Sequence, residues 1–150
     1  MNINDITYLT EMFIRFKIEH FTPREILNGR DVPDNLLQNI IPTVKVLNDL
    51  REKYGYPIYI NSTYRDKDYN KAVGGKKNSL HLEFNAIDFT VKNQKDLKSL
   101  YEILDKWDKT EGLFQTILPK PKGNFGLGLY PNFIHLDTRS ILNRRSPARW

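Results

Sequence analysis

The chain has no cysteine, so neither a disulfide framework nor a thiolate metal site is possible. Any metal must be held by histidine and carboxylate, and histidine is scarce, with 3 in 150 residues. No run approaches the roughly eighteen apolar residues of a membrane span. The N-terminus carries Asn2 and Asp5 with no basic segment leading into an apolar run. No secretory signal is therefore expected, and the protein is expected to be cytoplasmic where it is made. Internal repeats, low-complexity stretches and long linkers are also missing. A single domain over residues 1–150 is the expectation, since this length buries a sizeable core without covalent staples.

What is present is ordinary for a soluble globular protein: 39% hydrophobic and 27% charged residues. Lys and Arg outnumber Asp and Glu by 23 to 18, and a net charge of +5 favours anionic partners such as cell-wall polymers or nucleic acid. Part of that excess sits at the end of the chain, in Arg139, Arg144, Arg145 and Arg149, and not in an interleaved aromatic and basic patch. The nucleic-acid reading therefore rests on charge alone, and no nucleic-acid partner is expected.

Helical spacing of Ile6, Leu9, Phe13 and Phe16 predicts a first helix capped by Asn4 or Asp5. It makes residues 1–17 an N-terminal helical extension. Thr22-Pro23-Arg24-Glu25 has the form of a capping box with proline at the first helical position, and Asn28-Gly29 ends that helix. His20, just before it, reads as a local packing or hydrogen-bonding residue. Asp34 begins the longest helical pattern, which Pro42 should kink or split before the break at Gly55-Tyr56-Pro57. Residues 57–61 read as a buried strand, Asp66 caps a short helix to about Val73, and Asn93 caps a helix over Leu97 to Trp107. Residues 86–91, 113–118, 126–130 and 133–138 read as further strands. Strands gathered after an early helical run predict an α+β fold with a small antiparallel sheet and flanking helices.

Chemistry concentrates in two stretches. Asn78-Ser79-Leu80-His81-Leu82-Glu83-Phe84-Asn85-Ala86-Ile87-Asp88-Phe89 sets a histidine and a carboxylate seven residues apart at the mouth of a strand. There alternation puts Ala86 and Asp88 on one face and Ile87 and Phe89 on the other. Phe133-Ile134-His135-Leu136-Asp137-Thr138-Arg139 offers another histidine on another alternating run. His, Asp and His plus a water is the composition of a catalytic zinc site, whereas calcium and magnesium prefer harder donors. The bland alternative is three unrelated polar residues.

These motifs resemble the zinc D-Ala-D-Ala carboxypeptidases, in particular their compact, often phage-encoded branch. The similarity begins near Glu19-His20-Phe21-Thr22 and continues through Ser62-Thr63-Tyr64-Arg65, Tyr69-Asn70-Lys71-Ala72-Val73-Gly74-Gly75 and the pattern SxHxxGxAxD at Ser79 to Asp88. It closes with His135-Leu136-Asp137 and Ala148-Arg149-Trp150. The resemblance implies a hedgehog/DD-peptidase-like fold and one Zn2+ per chain on His81, Asp88 and His135. It places Arg65 and Ser79 along the substrate. Position adds two further candidates: Asp137, two residues after His135 on the same strand face, is the leading carboxylate to orient a ligand histidine or act as base, and Tyr130, five residues before His135, is placed to donate to an oxyanion. The plain alternatives are a surface salt bridge from Arg65 to Asp66 or Asp68, a turn hydroxyl for Ser79, and a packed strand-end aromatic for Tyr130. Glu83 is given no role.

Two positions depart from the family pattern. Phe84 stands where the pattern has glycine, so Asn85, which tolerates left-handed geometry better, is expected to take over the turn. Asn132 stands where related branches carry a glutamate base. The implied function is zinc-dependent cleavage of a peptide bond in bacterial peptidoglycan, as a D,D-carboxypeptidase or endopeptidase. The implied setting is a phage lysin or virion-associated wall hydrolase, acting on the wall after release or within a virion, and a monomer is expected. The alternative is a non-catalytic, zinc-stabilised structural or wall-binding protein.

Overall fold

The computed structural model describes residues 2–150. Five helices surround a small five-stranded sheet: α1 (Ile3–Arg15), α2 (Pro23–Leu27), α3 (Ile41–Tyr54), α4 (Lys67–Ala72) and α5 (Leu97–Lys109). The strands are β1 (Tyr59–Ser62), β2 (Ala86–Thr90), β3 (Gly126–Leu129), β4 (Ile134–Asp137) and β5 (Ala148–Arg149), in the spatial order β1-β2-β4-β3-β5. This is the expected α+β class. The sheet is mixed, however, because β5 runs parallel to β3 while the other three pairings are antiparallel. Among the described residues, no helix is long and apolar enough to cross a membrane.

Local sequence explains most boundaries. Asn2, two or three residues earlier than expected, caps α1 by accepting from the Asn4 N–H. Thr22 and Glu25 form the capping box of α2 reciprocally, and Asn28 ends it in the left-handed region. Pro42 splits the long pattern as its chemistry requires: residues Asp34–Ile40 form a 3-10 segment, and Pro42 lies in the first turn of α3, where a missing N–H costs nothing. Residues 113–118 are not a strand. Their backbone closes on itself through bonds such as Leu118 N–H to Phe114 O, after Gly112 at φ +77°. Phe114 packs there on Trp107 and Phe125, so apolar residues that resembled a strand serve a turn instead.

The sheet divides the molecule chemically. Register pairs Ile87 with Leu136, Phe89 with Ile134 and Leu127 with Leu136, and all of these are fully buried against the layer containing α3 and α5. Each such side chain contributes about 1.5–3 kcal/mol by leaving water. The alternate positions, Ala86, Asp88, His135, Asp137, Gly126 and Gly128, share the opposite face, with Asp88 directly across from His135 and Asp137 across from Ala86 and Gly126. A bulge between Ile60 and Ser62 shifts β1 so that Ser62 pairs with Asp88. It thereby turns a polar residue toward the same face.

Candidate metal centre

Three side chains from distant segments converge on that polar face. His81 lies in a short 3-10 turn, Leu80–Glu83, whose first N–H groups are partly satisfied by the Ser79 hydroxyl accepting from His81 N–H at 3.2 Å. Asp88 lies on β2 and His135 on β4. One ligand-type atom from each can be chosen so that all lie within 4.8 Å of one another. His135 Nδ1 stands 3.0 Å from Asp88 Oδ1, and His81 Nε2 stands 3.1 Å from the same oxygen. All three residues are buried.

The far side of each ring is anchored. His81 Nδ1 donates to the Thr63 carbonyl oxygen at 2.6 Å, which fixes the tautomer and leaves Nε2 with a lone pair. That Nε2 is buried and makes no hydrogen bond among the described residues. His135 Nε2 donates to Asp137 Oδ2 at 2.7 Å, which aims Nδ1 at Asp88. Two inward nitrogens and a carboxylate, each backed by a hydrogen bond behind the ring, fit a divalent cation with nitrogen preference such as zinc. The unpartnered buried nitrogen is the observation that tests the fit, because such an atom costs free energy unless something occupies it.

Without a cation the charges reorganise around a proton. Burial alone would push His135 down, but its bonds to Asp137 and Asp88, and their charges, push it up to about 9. Burial alone would raise the Asp88 carboxyl, yet the two histidines beside it hold it below the usual carboxylate range. Asp137 is likewise held low against its burial, by His135 and Arg139.

Asp137 is fully buried and saturated. Its carboxylate accepts from the N–H groups of Gly126 and Arg139, from Arg139 Nε and Nη2 as a fork, and from His135. The fork needs Gly126: a Cβ there would lie 2.5 Å from Asp137 Oδ2. Gly128 makes room in the same way for the Trp150 indole, whose ring centroid lies 5.0 Å from that of His135.

The remaining predicted residues line one pocket of about 690 Å³ around the cluster. Arg65 makes no salt bridge to Asp66 or Asp68; its guanidinium reaches Asp88 Oδ2 at 3.3 Å, Ser62 Oγ and Asn70 Oδ1. Ser79 is both a turn cap and a pocket wall, with its hydroxyl hydrogen free to donate. The Tyr130 ring stacks on Phe133 at 4.3 Å, and its hydroxyl accepts from Trp150 Nε1 at 2.8 Å. Packing and pocket lining therefore coincide at Tyr130. Asn132 is exposed and Glu83 is absent from the pocket wall. His20 contacts Glu52, away from the cluster.

One expectation fails. Phe84, not Asn85, takes the left-handed conformation, at φ +52°. Its ring is fully buried edge-on to Tyr64, and that burial offsets a backbone cost of about 1–2 kcal/mol. Asn85 is committed elsewhere: its amide donates to Asn39 O and Thr138 Oγ1 and accepts from Thr138 N–H. Sequence reasoning also missed Thr63 and gave Arg139 no task. The placement of Arg139 two residues after Asp137, just past the end of an alternating strand, was the available signal.

No curated protein matches the chain. The family described as Peptidase M15 matches residues 19–137, a span that starts after α1 and includes His81, Asp88 and His135. The chain therefore belongs to the M15 peptidases, the zinc D-Ala-D-Ala carboxypeptidase-like family of metallopeptidases.

Proposed function

We propose that this protein is a zinc-dependent peptidase that cuts a peptide bond beside a D-amino acid in bacterial peptidoglycan, with His81, Asp88 and His135 as the zinc ligands. The observation that carries the reading is the orphaned His81 Nε2, buried beside Asp88 and His135 at a pocket that reaches the surface. Zinc bound there supplies a Lewis acid and activates water at neutral pH.

The protein's own groups do the rest. Thr63 and Asp137 hold the two rings in the tautomers that present lone pairs inward. Arg65 presents donors beside Asp88, in a fork suited to a peptide carboxylate or a developing oxyanion. Ser79 and Tyr130 each retain a hydroxyl hydrogen for a substrate carbonyl. Asp137 is assigned orientation and not proton transfer, because five donors already occupy its two oxygens.

A second reading, a non-catalytic wall-binding protein, is favoured by one feature. Among the described residues Asp88 is the only acidic side chain lining the pocket, so no free side-chain carboxylate is placed there as a base. The two readings separate on isolated sacculi incubated with and without chelator and added zinc, with released fragments identified by mass spectrometry. Zinc-dependent release of peptide fragments supports the peptidase and shows whether a terminal residue or a cross-bridge is cut. One equivalent of bound zinc with sacculus binding and no fragment from several wall types overturns it. A phage lysin or virion-associated enzyme is the setting we assign, reached by the wall after lysis or as part of a particle.

A further inference from the structure

The pocket around the cluster carries a strong surplus of one charge. Arg65, Lys76, Arg139, Arg144, Arg145 and Arg149 line it, against Asp88 alone. Three of these cations already face a carboxylate of the protein: Arg65 beside Asp88, Arg139 on Asp137, and Arg149 on Asp105 and Asp108. Lys76, Arg144 and Arg145 form no ion pair among the described residues. Lys76 Nζ lies 5.5 Å over the Trp150 ring, and Arg144 Nη1 donates to the Asn78 carbonyl, which holds that arm beside Ser79. Three cations gathered in one concavity repel one another, and the field they focus is relieved by an anion. A divalent cation at the triad would add to the surplus.

We infer that Lys76, Arg144 and Arg145 form a carboxylate-binding subsite that selects acidic wall peptides, reading a carboxylate of the substrate outside the bond that is cut. The inference rests on the peptidase reading for the identity of the substrate, but its electrostatic basis does not. Two carboxylates could serve, the C-terminal one and an acidic side chain. The first would make the enzyme trim chain ends, and the second would leave internal bonds open to it.

The test uses one synthetic peptide with a single acidic side chain and a D-alanyl-D-alanine end, in three forms: free acid, terminal amide and side-chain amide. For the zinc-loaded protein kcat/KM is measured on each form, and for the chelated protein the affinity for each is measured by calorimetry. The free acid should exceed one of the amides by about tenfold or more at low salt, shrinking as ionic strength shortens the Debye length. The amide that suffers identifies the carboxylate. A Lys76→Gln/Arg145→Gln double variant changes two exposed side chains and should pull that preference toward unity. Arg144→Gln, made separately because it also loses the bond to Asn78, should do the same.

Equal handling of all three peptides by the wild type, or an undiminished preference in the double variant, overturns the subsite while leaving the peptidase standing. If no form is cleaved yet the chelated protein still binds the free acid about tenfold more tightly, the subsite stands and the peptidase reading falls.

Discussion

The two faces of β2 and β4 are built from alternate residues of the same few positions, yet they are held by different physics. On one face Ile87, Phe89, Ile134 and Leu136 are stabilised by leaving water and need no particular partner. On the other, Asp88, His135 and Asp137 are almost as deeply buried, and each is tolerable only because its neighbours complete its hydrogen bonds. Removing a residue from the first face leaves a void. Removing one from the second leaves an unpaired polar atom, and it is also expected to remove a function.

The largest effect should come from Asp88→Ala. It takes away the oxygen that both inward nitrogens face, so zinc stoichiometry, measured on the dialysed protein, should fall to background together with wall hydrolysis. Full activity in this variant would sink the ligand assignment. Leu136→Ala, beside His135 on the neighbouring strand β4 but on the apolar face, should cost about 2–5 kcal/mol in denaturant unfolding and still bind one zinc below its melting temperature. Loss of zinc binding in the folded Leu136 variant would show that the two faces are not separable.

The next contrast uses pH. In the chelated protein His135 is raised from 6.5 to about 9. A raised folded-state value contributes stability that is fully present below 6.5 and is lost as pH climbs through about 9. The chelated protein should therefore lose on the order of 3 kcal/mol across that window. The zinc-loaded protein, with His135 already neutral, should lose much less. Parallel pH profiles for the two forms would contradict the proton and the metal sharing one place.

The apolar face was largely legible in the sequence. Alternation along residues 86–91 and 133–138 predicted both central strands and which residues turn inward, and helix caps at Thr22 and Asp66 stood in plain view. The seven-residue spacing of His81 and Asp88 brought the cluster forward as well, since a turn followed by a strand returns the two side chains to one place. What surrounds the cluster was less legible, for specific reasons. The Thr63 contact uses a main-chain carbonyl, which no residue type announces. The Arg139 fork depends on β3 lying beside β4 with Gly126 opposite Asp137, a matter of register. β5 is two residues long and parallel, too short for any periodic signal. At Phe84 a tertiary gain from burying a ring overrode local backbone preference, and local preference is what sequence reasoning weighs.

The smallest and most discriminating prediction concerns Asp137, where the two kinds of stabilisation meet. The residue is fully buried, but it touches no substrate; it holds His135, and Arg139 and two backbone N–H groups hold it. Asparagine keeps the shape and one acceptor oxygen, and it points an NH2 group at donors that had been facing oxygen. Zinc affinity should fall by about 10–100-fold, the range for loss of a carboxylate behind a ligating histidine. Zinc stoichiometry at saturating metal should stay at one. If Asp137 acted instead as the base, kcat would collapse at saturating zinc with affinity unchanged. A drop in affinity largely rescued by excess zinc supports orientation, and a drop in kcat that zinc cannot rescue returns proton transfer to Asp137.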